Sequence, residues 1–163
     1  MKPNEQLFAP WRLFYLQNLE GKREGCIFCQ FPQENRDEET YILHRGEHAF
    51  VILNAFPYAS GHLMVIPFRH VARISDLNDA ELLEVNQLVA RATEALQKTY
   101  NPEGFNIGVN MGSAAGAGIP DHLHWHVVPR WSADINFMTA VGGVRVIPEE
   151  LSTAYAKIKA NLG

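Results

Sequence analysis

The chain has only two cysteines in 163 residues, too few for a disulfide framework. They stand together as Cys26-Ile27-Phe28-Cys29, a spacing that suits a metal clip or a redox pair, and a reducing compartment fits either. Long apolar runs are also missing. No stretch approaches the roughly 18 uninterrupted apolar residues of a membrane span, and Met1 is followed by Lys-Pro-Asn-Glu rather than by a basic patch and an apolar core. A cytoplasmic protein with no membrane partner is expected. Basic residues are in deficit, with 14 Lys and Arg against 18 Asp and Glu and a net charge of -4. Nucleic-acid binding driven by phosphate neutralisation is therefore not expected, and any anion must be held locally. No biased tract argues for disorder or a repeat array.

What remains is ordinary globular material, 47% apolar and 20% charged, in a length that suits one domain with its own core. The expected organisation is a single domain over residues 1–163. Residues 1–40 are read as an N-terminal extension and loop holding Trp11, Phe14, Tyr15, the cysteine pair and the acidic run Glu34 to Glu39. β-Branched and aromatic residues cluster from Tyr41 to Asn54, and again from His62 to Phe68 after the turn-prone segment 54–61, which predicts paired antiparallel strands. Asn78-Asp79-Ala80-Glu81 has the form of a capping box. Behind it Leu82, Val85, Val89, Ala92 and Leu96 recur every three or four residues, until Asn101-Pro102 stops the helix. Two further strands are predicted over Phe105 to Met111 and His122 to Val128. Pro148 opens a short terminal helix with Leu151, Tyr155, Ile158 and Leu162 on one side. The fold class is α+β.

The segment His122-Leu-His124-Trp-His126-Val-Val128 alternates strictly. In a strand, successive side chains point to opposite faces, so the three imidazoles share one face at intervals of about 6.6 Å while Leu123, Trp125 and Val127 face a core. Imidazole is largely neutral at pH 7 and nucleophilic. One histidine can attack phosphorus while a neighbour assists the leaving group, giving two displacements through a covalent phospho-histidine. Gly112, Gly116 and Gly118 in the loop before it would let backbone amides turn toward an anion.

With these residues in place, the chain resembles the histidine-triad superfamily, whose signature is His-φ-His-φ-His-φ-φ with φ apolar. The likeness extends over Cys26-x-x-Cys29, Asn54-x-x-Pro57-x-x-x-Gly61-His62, Val65-Ile66-Pro67-x-x-His70, Asn110-x-Gly112, Ala115-Gly116, and Val128-Pro129-Arg130 behind the triad. The tail Pro129-Arg130-Trp131 with Asp134-x-Asn136-Phe137-Met138 is most similar to the bacterial branch of diadenosine tetraphosphate phosphorylases. The resemblance implies an antiparallel sheet of about five strands with one long helix and a short C-terminal helix. It implies an enzyme acting on dinucleoside polyphosphates, with His124 as the nucleophile that becomes nucleotidylated, His126 assisting at the leaving oxygen, and His122 and His62 beside them. Asn54 would contact ribose and Ile52 the base, while Asn110, Gly116, Ala117 and Gly118 would hold phosphate. Where phosphorylases of this type carry Gly-Ser, this chain has Ala117-Gly118, one hydroxyl fewer in the phosphate pocket, which opens the acceptor to water as well as to phosphate. Zinc-bearing relatives complete the cysteine clip with the histidines that correspond to His70 and His122. A closed Cys₂His₂ site of that kind is structural, because it leaves no coordination position for substrate. A homodimer is implied as well, joined through the Phe105 to Met111 strand and the helix after Asn78. A phosphoramidase and a nucleotide-binding sensor with little turnover remain alternative readings of the same triad.

Overall fold

The computed structural model describes residues 25–132, 134 and 147–162. Trp11, Phe14, Tyr15 and Asn136-Phe137-Met138 lie outside the described residues. Five strands form one antiparallel sheet: β1 Ile42–Arg45, β2 Ala49–Leu53, β3 Leu63–Pro67, β4 Gly104–Val109 and β5 Trp125–Arg130, in the spatial order β1-β2-β3-β5-β4. Among the described residues four helices accompany it: α1 Ile27–Gln30, α2 Asp37–Thr40, α3 Asp79–Tyr100 and α4 Leu151–Leu162. The α+β architecture expected from the sequence, with one long helix and a short terminal one, is the observed one.

β2 and β3 are buried along their whole length, because both sheet faces are covered, and so they read as continuous apolar runs. On one face Val51, Leu53, Leu63, Val65 and Val127 pack with Val85, Leu88, Ala92 and Leu96 of α3 and with Tyr155 and Ile158 of α4. On the other, Ile42, Phe50, Ile52, Met64 and Ile66 gather around Phe28 of α1. Burying one such side chain stabilises by about 1.5–3 kcal/mol. A one-residue slip of β3 would send its whole apolar set to the wrong side, so the register is tightly specified.

Helix α3 carries the predicted capping box in full. Glu81 N donates to Asn78 Oδ1 at 3.0 Å, and Asn78 N donates to Glu81 Oε2 at 2.8 Å. Asn101 closes the helix in the left-handed conformation at φ 47°. Its buried stripe is wider than the sequence pattern indicates, since Leu88 and Ala95 are buried while Leu82 and Val89 lie at its margin.

Two expectations need correction. Residues 25–40 are not merely extension and loop: 31–33 form a 3₁₀ turn and Asp37–Thr40 a helical turn. The side chain of Arg45 on β1 holds them, donating to Asp37 Oδ1 at 2.6 Å and to the Pro32 carbonyl at 2.7 Å. The β5 ladder begins at Trp125 rather than His122. His122, Leu123 and His124 precede it in chain that leaves the sheet, and Leu123 N donates to Val71 O at 2.8 Å. Leu123 still buries itself beside Val71 and Leu77, which preserves the alternation.

Candidate functional site

Across the sheet, Ile52 pairs with Met64, Met64 with His126 and His126 with Gly108. Directly paired residues share a face, so the last histidine of the triad continues the row begun by Ile52. Against this row lie the rings of His62, 5.1 Å from His126, and of His124, 5.0 Å from His126. Phe28 of α1 sits against both His124 and His122, at 5.2 and 5.6 Å between centroids. His62 and His122 are fully buried and His124 nearly so. They are not a solvated row.

Each ring has its tautomer set by a neighbour whose own role is fixed. His124 Nδ1 lies 2.8 Å from the His122 carbonyl. A carbonyl only accepts, so Nδ1 carries the hydrogen and Nε2 keeps the lone pair. Tyr58 N, which can only donate, lies 3.1 Å from His62 Nδ1. The His62 hydrogen is therefore on Nε2, which donates to His126 Nδ1 at 2.9 Å. That leaves His126 with its hydrogen on Nε2. One ring thus presents a lone pair and its neighbour an N–H. Burial lowers the pKa of His124. Burial and the His124 ring lower that of His126 to about 4. Both are neutral at pH 7, the form the hydrogen bonds require.

The loop from Asn54 to His62 is a closed knot. Asn54 Oδ1 accepts from Phe56 N at 2.9 Å, Asn54 N donates to the His62 carbonyl at 2.9 Å, and His62 N donates to Ala59 O at 3.1 Å. Asn54 is buried, and its Nδ2 lies against the His62 ring. Ile52 is buried in the apolar cluster beneath. Asn110 is half-buried, and Gly116, Ala117 and Gly118 lie on the loop ahead of the triad. Gly112 and Gly116 adopt φ 80° and 85°, and a Cβ at Gly112, Gly116 or Gly118 would meet nothing within 4 Å, so the space above these amides is open. Ile119, at the end of this loop, packs into the cluster that contains Phe28 and Met64.

A second constellation adjoins the first. The ligand atoms of Cys26, Cys29, His70 and His122 lie within 4.8 Å of one another. Cys26 Sγ is 3.2 Å from His122 Nδ1, and Cys29 Sγ is 3.4 Å from His70 Nδ1. His122 Nε2 donates to the Pro67 carbonyl at 2.9 Å, which leaves Nδ1 as a lone pair facing both sulfurs. Burial, and then the neighbouring Cys26, push the Cys29 thiol up to about 11. Two thiols held side by side resist ionising together unless a cation supplies the missing charge. Donor types, tautomer and thiol pair all fit a four-coordinate metal ion.

The structure thus brings together all four catalytic candidates and all four metal-ligand candidates, joined at His122. Sequence reasoning missed Phe28, Tyr58 and the Pro67 carbonyl. Phe28 falls inside the Cys-x-x-Cys spacing, where only the cysteines carry a signal, and the Tyr58 and Pro67 roles are played by backbone groups that no side-chain pattern reveals.

Residues 35–133 match the HIT domain model. The chain is 40% identical over 154 residues to the AP-4-A phosphorylase of Mycobacterium tuberculosis, covering 90% of this chain and 78% of that protein. It is 31% identical over 109 residues to an asymmetrical bis(5'-nucleosyl)-tetraphosphatase of Schizosaccharomyces pombe, covering 67% of this chain and 57% of that one. A Zn-bound histidine triad protein from Mycobacterium smegmatis superposes with a TM-score of 0.69 at 26% identity, over 85% of this chain and 93% of that one.

Proposed function

The chain belongs to the HIT domain family, and from that premise we propose that it is an enzyme cleaving dinucleoside polyphosphates by nucleotidyl transfer, with His124 as nucleophile. The observation that carries the reading is the complementary pair of tautomers, a lone pair on His124 Nε2 beside an N–H on His126 Nε2. The His124 lone pair forms a bond to the α-phosphorus as the bond to the leaving nucleotide's oxygen breaks. Negative charge building on that oxygen meets the His126 N–H. His124 becomes a phospho-imidazolium, and its Nδ1–H bond to the His122 carbonyl strengthens with the new positive charge. Water or phosphate then attacks phosphorus, releases a nucleoside mono- or diphosphate, and returns His124 to its starting form.

Ile52, with Phe28 and Met64, would floor the base pocket, and Asn54 would lie at the ribose. Asn110 and the amides of Gly116, Ala117 and Gly118 would hold phosphate, supported by the open space above those glycines. Cys26, Cys29, His70 and His122 would hold a structural zinc, whose chemistry there is to fix His122 and hence the carbonyl that orients His124. The missing hydroxyl at Ala117-Gly118 favours water as acceptor.

Acid-quenched protein mass spectrometry with diadenosine tetraphosphate tests the reaction. An adduct of one AMP is expected, absent in His124→Ala, with turnover down at least about a thousandfold. ADP formed only with phosphate would identify a phosphorylase, and AMP a hydrolase. An adduct that survives in His124→Ala would refute the assignment of the nucleophile, and neither adduct nor product would favour a nucleotide sensor. A second copy of the chain is the other proposed partner. β4 is an outer strand whose Ile107 is half-exposed, with Met111 beyond it and Leu83 exposed on α3. Sedimentation at twice the chain mass is expected; a monomer at micromolar concentration would rule the pairing out.

A further inference from the structure

The hydrogen on His126 is traceable through His62 to Tyr58, both outside the triad. Tyr58 supplies a fixed donor to the relay, its backbone N–H on His62 Nδ1 at 3.1 Å, and its side chain covers the same relay. The Tyr58 ring lies 4.6 Å from His62, tilted by 40°, and 6.0 Å from His126, stacked within 29°. It spans the 2.9 Å bond between the two imidazoles. His62 is fully buried, whereas Tyr58, whose ring lies against it, is 47% exposed.

We infer that Tyr58 is a positioning residue for departure of the leaving group: it keeps water off the His62–His126 hydrogen bond so that His126 presents its Nε2–H to the departing oxygen. This rests on the assignment of His126 to the leaving-group side. In the first displacement the His124 Nε2–P bond forms and the P–O bond breaks with its electron pair on oxygen. The charge met by His126 grows with the basicity of that oxygen. A water competing for His62 Nε2 or His126 Nδ1 would let the His126 hydrogen move to Nδ1 and turn a lone pair toward the departing group. Displacement of a basic leaving group suffers from that loss more than displacement of an acidic one.

The experiment measures the rate of adduct formation on His124, by acid quench, for two adenosine 5′-phosphate aryl esters, one releasing p-nitrophenol and one releasing phenol. The variants are Tyr58→Ala, Tyr58→Phe and, as a reference, His126→Ala. Tyr58→Ala is expected to slow the phenyl ester at least about tenfold more than the p-nitrophenyl ester, with KM nearly unchanged. Tyr58→Phe, which keeps the ring, is expected to recover most of that selectivity. Nitrogen-15 shifts of the imidazoles should show a single Nε2–H tautomer on His126 in the parent and a mixture in Tyr58→Ala, a readout that stands even if the alanine variant loses stability. Equal slowing of both esters, or an unchanged tautomer, overturns the inference and leaves Tyr58 a mere wall. If His126→Ala itself shows no dependence on the leaving group, the assignment of His126 fails and the role of Tyr58 fails with it.

Discussion

Gly61 holds φ at +78°, and a Cβ there would lie 2.8 Å from Tyr100 Cε2 and 2.9 Å from Leu96 Cδ2. Both obstacles belong to side chains packed on the main core, so neither can yield freely. Gly61→Ala combines a left-handed backbone with this overlap and should cost about 1–3 kcal/mol. Because His62 follows directly, the strain should also lengthen the His62–His126 bond. Denaturant melts should show the stability loss, and single-turnover rates a fall in kcat larger than any change in KM. An alanine variant as stable and as fast as the parent would mean that the loop can place His62 in another way. The glycine is legible in the sequence as part of Asn-x-x-Pro-x-x-x-Gly-His, but its reason is not, since Leu96 and Tyr100 come from a helix more than thirty residues further on. The same limit hid the tautomers. Which histidine nitrogen is free depends on the carbonyls of His122 and Pro67 and the amide of Tyr58, groups that every residue possesses.

Helix α3 is the element most fully written in the sequence, because its start and stop are local chemistry: the reciprocal Asn78 and Glu81 bonds at one end and Asn101-Pro102 at the other. Glu81 does more than cap. It also accepts from Arg69 Nε at 2.8 Å and Nη2 at 2.7 Å, tying the helix to the segment that follows β3 and carries His70. The Arg69 hydrogen bonds hold the Glu81 carboxyl down to about 2 from an ordinary 4.5. A depressed carboxylate stabilises the fold fully above its ordinary value, and that contribution disappears as pH falls from 4.5 through 2. Glu81→Gln should therefore melt lower than the parent at pH 7, and the gap should close as pH approaches 2. A gap that stays constant across this window would assign the loss to packing. The Asn78 cap, worth about 1 kcal/mol, is kept in this variant, because the residue 81 amide still donates to Asn78 Oδ1. Strand β5 was less legible than α3. The alternation of the triad continues through His122, but the ladder does not, because after Val65 pairs with Trp125 the chain before β5 bonds to Val71 and Pro67 instead. Alternation records which side chains are buried, not which backbone groups are paired.

Cys26 and Cys29 enter from the N-terminal side of the sheet, His70 from the exit of β3 and His122 from the approach to β5, so one ion would join segments as far apart as 96 residues in sequence. Closing loops of that length removes conformational freedom from the unfolded chain, and a metal held at about a thousand times its Kd stabilises the fold by roughly 4 kcal/mol. For a chain of this size, chelation should lower Tm on the order of 10 °C. Stability and chemistry would meet at one residue, since His122 reaches the cysteine pair through its ring and orients His124 through its carbonyl. Chelated protein should accordingly form the AMP adduct more slowly even below its lowered melting point. An ion held by four protein ligands should take no part in the displacement itself. Protein reconstituted with cobalt should keep the zinc rate within about twofold, and its visible absorption bands should not move when nucleotide is added. Bands that shift on nucleotide binding would mean that one of the four ligands yields to substrate, and the ion would then belong to the reaction rather than to the scaffold.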